Sequence, residues 1–497
     1  MSPELVFTVI AGYFVLLLTI SYFTSRNADS DTFFTGNRQS PWYLVAFGMV
    51  GATLSGVTFI SVPGEVGNSQ FSYFQVVLGY IPGYAFIALV LMPLYYRLKL
   101  VSIYGYLEQR FGFFSYKVGA FFFLLSRLLQ SAFRLFLVAG VLQIAFFDRF
   151  DLPFWITVMV TILLIWLYTF QAGIKTIVWT DTLQTLFILV AVVLSIQLIG
   201  QELELSVGGM AEAIRTSDMS RVFFWDWQSG KNFFKQFISG AFMAIVMTGL
   251  DQDMMQKNLT IRTLSDAQKN MKWFTVVLVI ANILFLSLGA LLFMYAQAKS
   301  ITLPGRTDEL FPMLAVNHFD AYAGIIFLLG ITAAAYSSAD SALTALTTSF
   351  CVDFLGIGRS KDTDRAEAKK KLDDTTRKRV HVMFSVLLFV VILAFNAIND
   401  QSVITAVFRV AGYTYGPLLG LYAFGLYTNI VVKDHLVPWV CVISPLLCYI
   451  IDSNSAQWFS GFEFGFFILI VNGLLTFIGL LLIKRSDDVA SASTRVE

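Results

Sequence analysis

The chain has 497 residues, 57% of them hydrophobic and only 13% charged, against about 25% charged in an average soluble domain. That composition excludes a soluble enzyme, and the near balance of 34 basic and 33 acidic residues argues against nucleic acid as a partner. The longest polar stretches, 201–235 and 354–379, are too short to bury a core, so residues 1–497 read as one membrane domain.

A spanning helix needs about 20 mostly apolar residues. Such stretches recur about thirteen times, near 4–23, 41–62, 71–96, 118–147, 153–170, 177–200, 236–250, 273–298, 321–353, 380–397, 402–427, 430–452 and 457–483. The first lacks the basic region and the Ala-x-Ala site of a signal peptide and reads as a retained helix. Cys351, Cys441 and Cys448 fall inside or at the edge of apolar stretches, which predicts buried thiols and no disulfide framework. With the N-terminus outside, 24 of the 34 basic residues fall on the inner side and 7 on the outer side, as the positive-inside rule requires. The tail 484–497 is then cytoplasmic, and the loop Arg359–Arg379 is a topology anchor able to touch anionic lipids. Arg127, Arg134 and Arg409 are left within spans.

The second span carries Gly51, Thr53, Ser55, Gly56 and Thr58 at mid-membrane. It is either a broken helix whose unwound carbonyls make an ion or solute site, or a small-residue packing face. At the head of the sixth, Asp181 lies one turn inside the membrane, as an interfacial anchor or as a ligand. The seventh stops short at Gly249, before Asp251 and Asp253, a second interruption about five spans after the first; the two acids read equally as a solvated cap. In the ninth, Ser337, Asp340, Ser341 and Thr344 share one face at roughly 100° per residue, with Ser338 adjoining. A carboxylate inside a span is a functional group by default, and hydroxyl, carboxylate and carbonyl oxygens suit a small hard cation. The alternative is that the serines bond back to their own helix and Asp340 pairs with an arginine.

These segments resemble the sodium/solute symporter family, which includes sodium/glucose, sodium/proline and sodium/sialate cotransporters. The resemblance covers essentially the whole chain. It is carried by Gly51-Ala-Thr-Leu-Ser-Gly-Val-Thr-Phe, Ala172-Gly-Ile-Lys-Thr-Ile-Val-Trp-Thr-Asp181-Thr-Leu-Gln184, Asp251-Gln-Asp-Met-Met-Gln256, Ala333-Ala-Ala-Tyr-Ser337-Ser338 and Gly416-Pro-Leu-Leu-Gly420. It implies an all-α membrane protein with a leucine-transporter-like inverted repeat of five plus five helices, 41–200 and 236–427. One extra helix precedes the repeats and two, within 430–483, follow. It implies a sodium ion held by the carbonyls of Gly51, Leu54 and Ala334 and the hydroxyls of Ser337 and Ser338. A second sodium site of the sialate branch would fall at Asp181, Ser337, Asp340 and Ser341, although that branch has a hydroxyl where this chain has Asp340.

The resemblance places the solute between the two broken helices and the third and tenth family helices. The candidate lining residues are Thr53, Ser55, Thr58, Tyr73, Gln75, Gln130, Thr248, Gln252 and Arg409. Arg409 stands where sugar-transporting relatives place a sugar-binding glutamine, and a guanidinium there would clamp a carboxylate in bidentate fashion. The other reading pairs Arg409 with Asp340 or Asp181. In the sialate branch the carboxylate-binding arginine lies on the third family helix, at a position that aligns with Gln130, between Arg127 and Arg134. The expected activity is sodium-coupled symport of a small organic anion (a carboxylate or sialate) or a sugar, by alternating access in a monomeric transport unit of the cell membrane. The rival is proton coupling through Asp181 and Asp340. A channel would need a continuous polar path, and His318, His381 and His435 are too scattered for a metalloenzyme.

Overall fold

The computed structural model describes residues 3–25, 40–98, 100, 102–169, 174–357, 366–398 and 402–485. Gln171 and Gly173, residues 359–365 of the loop 359–379 and all but the first two residues of the tail fall outside them, as does the side chain of Asp340.

Among the described residues every regular element is a helix, as backbone in lipid demands, since each N–H and C=O must find its partner internally. In chain order they are α1 (Pro3–Ser25), α2 (Trp42–Thr53), α3 (Gly56–Ser69), α4 (Tyr73–Phe86), α5 (Met92–Leu98), α6 (Gly105–Arg110), α7 (Phe113–Ala145), α8 (Phe154–Thr169), α9 (Ile174–Glu202) and α10 (Val207–Thr216). Then come α11 (Phe233–Ala244), α12 (Gln252–Leu259), α13 (Leu264–Ala298), α14 (Leu310–Asn317), α15 (Ala321–Ser349), α16 (Ala366–Ile398), α17 (Val403–Tyr427), α18 (Val437–Ser453) and α19 (Ile468–Leu482). Among the described residues eight helices are long and apolar enough to cross a membrane, nine if a bent pair is one span. The larger number expected from the sequence divides Gly56–Leu98 between two spans and adds α1, α8 and α17, which do not meet that test.

Two interruptions organise the bundle. The helix formed by α2 and α3 unwinds at Leu54 (φ −75°, ψ 68°) and Ser55 (φ −76°, ψ 177°). Packing of α2 on α9 explains the glycine before the break, because a Cβ on Gly51 would lie 2.1 Å from Thr185 Oγ1. The second interruption follows α11, whose π turn Ile245–Gly249 ends at Leu250, and α12 resumes at a bend of 65°. Tyr95 and Tyr104 donate hydroxyl hydrogens to the freed carbonyls of Gly249 and Leu250 at 2.8 and 3.0 Å, which satisfies oxygens that lipid could not. The short apolar run expected over 236–250 is thus the first limb of a broken helix, and Gln252 to Asn258 belong to the second, capped by Asp251.

Candidate functional site

At the α2–α3 break, Ser55 N–H, which a continuing helix would give to the Gly51 carbonyl, bonds instead to Thr53 O at 2.9 Å. The released carbonyls lie where α2 packs on α9 and α15. On α15, Ser337, Ser338 and Ser341 are all buried, and Ser338 Oγ donates to Ala334 O at 3.3 Å. The donor set is oxygen throughout and fits a small hard monovalent cation.

Beside it lies a buried chain of charges. Lys257 Nζ on α12 donates to Asp181 Oδ2 on α9 at 2.8 Å and to Ser341 Oγ on α15 at 2.9 Å, and stands 3.9 Å from Asp253 Oδ1. Ser337 Oγ donates to Asp181 Oδ1 at 2.8 Å. Arg127 on α7 is ion-paired with Asp253 and lies 3.8 Å from Asp251 Oδ2, which also accepts from Tyr415 of α17 at 2.7 Å. Asp251 caps α12 by accepting from Met254 N–H at 3.2 Å. The structure therefore decides between the sequence alternatives for these acids. Asp251 does cap, but it and Asp253 are buried and paired rather than solvated, and the cation opposite Asp181 is Lys257, not Arg409.

A cavity lies on the other side of the break, between α3, α4, α7, α11, α13 and α17. Of the expected lining residues it contains Thr53, Ser55, Thr58, Tyr73 and Thr248. At one end Tyr73 stacks on Phe408, ring centroids 6.1 Å apart. The other four lie elsewhere, for visible reasons. Gln75 is spent on an extramembrane loop, donating to Lys231 O and Gln236 Oε1 and accepting from Phe224 N–H. Gln130 donates to Ser126 Oγ at 3.0 Å, and Gln252 accepts from Ile103 N–H at 2.9 Å. Arg409 is exposed on the outward face of α17 and does not line the cavity.

The cavity also contains residues outside the expected lining: Tyr80, Tyr84, Asn282 and the two arginines of α7, which the sequence reading left within a span on either side of Gln130 without assigning them to the solute. Arg127 reaches it already paired. Arg134 reaches it with no ion pair and no hydrogen bond among the described residues. Thr53 Oγ1 and Asn282 Oδ1 are likewise buried without a hydrogen-bond partner, and unsatisfied buried polar atoms lining a cavity are the mark of a site built for a ligand. Spacing could have found Arg134, which stands two turns from Arg127 on the same face of α7. Nothing local could have told which of the two acids would claim.

A bundle with two broken helices, oxygens at one break and a polar cavity beside it, is the architecture of a secondary transporter. Comparison with known proteins agrees. A model of the sodium:solute symporter family matches residues 33–433; the chain belongs to that family and is a multi-pass membrane protein performing sodium-coupled symport of a solute. It is 25% identical to the sodium/sialic acid symporter SiaT of Proteus mirabilis over 435 residues, 85% of this chain and 84% of that protein. To the sodium/sialic acid symporter NanT of Aliivibrio fischeri it is 23% identical, over 96% of this chain and 93% of that one. Among solved structures, a substrate-bound, outward-open sodium-coupled sialic acid symporter superposes with TM-score 0.79 at 21% identity, covering 96% of this chain and 97% of that one. The nucleobase-cation-symport-1 family transporter Mhp1 superposes at 0.55 and 14% identity, covering 92% and 96%. These likenesses give the leucine-transporter-like fold. The family and these neighbours are transporters, and nothing in them supports the proton-coupled alternative.

Proposed function

We propose that the solute is a small organic anion carrying a carboxylate, and that Arg134 is the residue that holds it. The observation carrying this reading is the guanidinium of Arg134, which opens on the cavity without an acid of its own. A charge left without a counter-ion in a low-dielectric setting is costly unless a ligand supplies one, and a planar guanidinium matches a carboxylate in bidentate fashion. The hydroxyls of Thr53, Ser55, Thr58 and Thr248 and the Asn282 amide would serve the polar remainder of the molecule. Similarity to two sialic acid symporters points the same way, since sialic acids combine a carboxylate with many hydroxyls.

The coupled sodium ion is assigned to the carbonyls of Gly51, Leu54 and Ala334 and the hydroxyls of Ser337 and Ser338. Ions and solute then meet the same break from its two sides, so that either would favour the conformation the other needs. The two limbs α2–α3 and α11–α12 open the repeats 41–200 and 236–427. The balance of basic residues puts the N-terminus outside and the tail in the cytoplasm.

A thermal-shift screen of the purified protein tests this, with carboxylates, neutral sugars and amino acids each added in sodium and in choline chloride. Acidic sugars and other carboxylates are expected to stabilise the protein, and more so in sodium. Stabilisation by neutral sugars but not by carboxylates would refute the anion. Ser338→Ala is expected to raise the sodium concentration needed for half-maximal stabilisation about tenfold, corresponding to roughly 1.4 kcal/mol of lost coordination.

A further inference from the structure

Two of the side chains expected to hold a second sodium ion, Asp181 and Ser341, already hold a cation, and a third, Ser337, is bonded to Asp181. Lys257 Nζ stands 2.8 Å from Asp181 Oδ2 and 2.9 Å from Ser341 Oγ, and Ser337 Oγ closes the other carboxylate oxygen at 2.8 Å. The lysine is 1% exposed, so the ammonium is closed off from bulk solvent. We propose that the Lys257 ammonium takes the place of a second sodium ion, and that this chain therefore binds and couples a single one. The inference rests on the reading that the coupled ion sits at the α2–α3 break.

The geometry carries it in two steps. An ammonium offers donors and no acceptor, and its surroundings include the carboxylates of Asp181 and Asp253 and the Ser341 hydroxyl, oxygens of the kind that a sodium ion would use. A sodium ion placed beside the ammonium would meet a like charge at close range in a poorly screened setting. Relieving that repulsion would mean moving Lys257 out of a fully enclosed position and leaving Asp181 to the ion, while Asp253 keeps Arg127. A free ion also brings its own concentration gradient, whereas a tethered ammonium does not. The lysine links α12 to α9 and α15 whatever the sodium concentration, and one ion fewer drives the solute.

Equilibrium binding of radioactive sodium to the purified full chain in detergent tests the count. The wild type is expected to bind one ion. Lys257→Ala, which leaves Asp181, Ser337 and Ser341 with a vacated space, is expected to bind two, and Lys257→Arg one. Thermal unfolding in sodium and in choline chloride accompanies the count, and Lys257→Ala should gain more stability from sodium than the wild type does. Two ions bound by the wild type would overturn the proposal. So would a count of one in a Lys257→Ala protein that unfolds cooperatively. If that variant does not fold in either salt, the wild-type count alone decides. A roughly tenfold weaker affinity for the one ion in Ser338→Ala upholds the first site, and an unchanged affinity contradicts that site without touching the role of Lys257.

Discussion

Arg127 and Arg134 stand two turns apart on the same face of α7, and both reach the cavity, yet they do opposite things. Arg127 meets Asp251 and Asp253 at the start of α12 and is consumed by structure. Arg134 shares the cavity lining with hydroxyls, an amide and apolar side chains. Inside a membrane a cation without an acid is costly, and on the proposed function the unpaired arginine holds the solute while the paired one joins α7 to α12. The contrast extends to the two sides of the α2–α3 break: the side toward α9, α12 and α15 is knit by ion pairs, while on the cavity side Arg134 has none among the described residues.

Substitutions can break this contrast. Arg127→Ala leaves two buried carboxylates without their cation and should cost about 3–5 kcal/mol, read as a large drop in thermal stability in detergent. Asp253→Ala should cost a similar amount, with the double variant less destabilised than the sum of the two. Arg134→Gln removes hydrogen bonds to a charged ligand worth about 1.5–3 kcal/mol. It should lower the affinity for a carboxylate solute roughly 10- to 150-fold while the protein unfolds near the wild-type temperature. If Arg134→Gln unfolds like Arg127→Ala, the two arginines are alike and the contrast fails. Gly51→Ala drives a methyl group to 2.1 Å from Thr185 Oγ1, an overpacking that costs about 1–3 kcal/mol and should weaken sodium binding by shifting the break. The smallest effect belongs to Arg409→Gln: on an exposed face it should change stability by no more than about 0.5 kcal/mol and leave uptake unaltered.

Both helix interruptions were legible from sequence, because glycines and hydroxyls at mid-span have few uses in lipid except at breaks and tight contacts. The Ser337–Ser341 face of α15 was legible for the same reason, through helical spacing. The pairing of charges was not. Lys257 reads as a loop residue in a segment rich in polar side chains, and only the fold shows α12 turning it onto Asp181, 76 residues away in sequence. Its four-residue spacing from Asp253 was a faint sign that the two share a helix face. Gln75, Gln130 and Gln252 illustrate the converse: a polar residue within a span reads as a ligand-binding group, but neighbouring backbone and side-chain groups can consume its hydrogen bonds. Arg409 misled because its place in the sequence fits the site while its azimuth on α17 faces away.

The account is tested most directly by uptake into proteoliposomes of whichever radiolabelled carboxylate most stabilises the purified protein, under an inward sodium gradient and without sodium, for the wild type, Arg134→Gln and Arg409→Gln. It predicts gradient-dependent uptake by the wild type and by Arg409→Gln, and its loss in Arg134→Gln. Undiminished uptake by Arg134→Gln, or uptake by the wild type that ignores sodium, would contradict it.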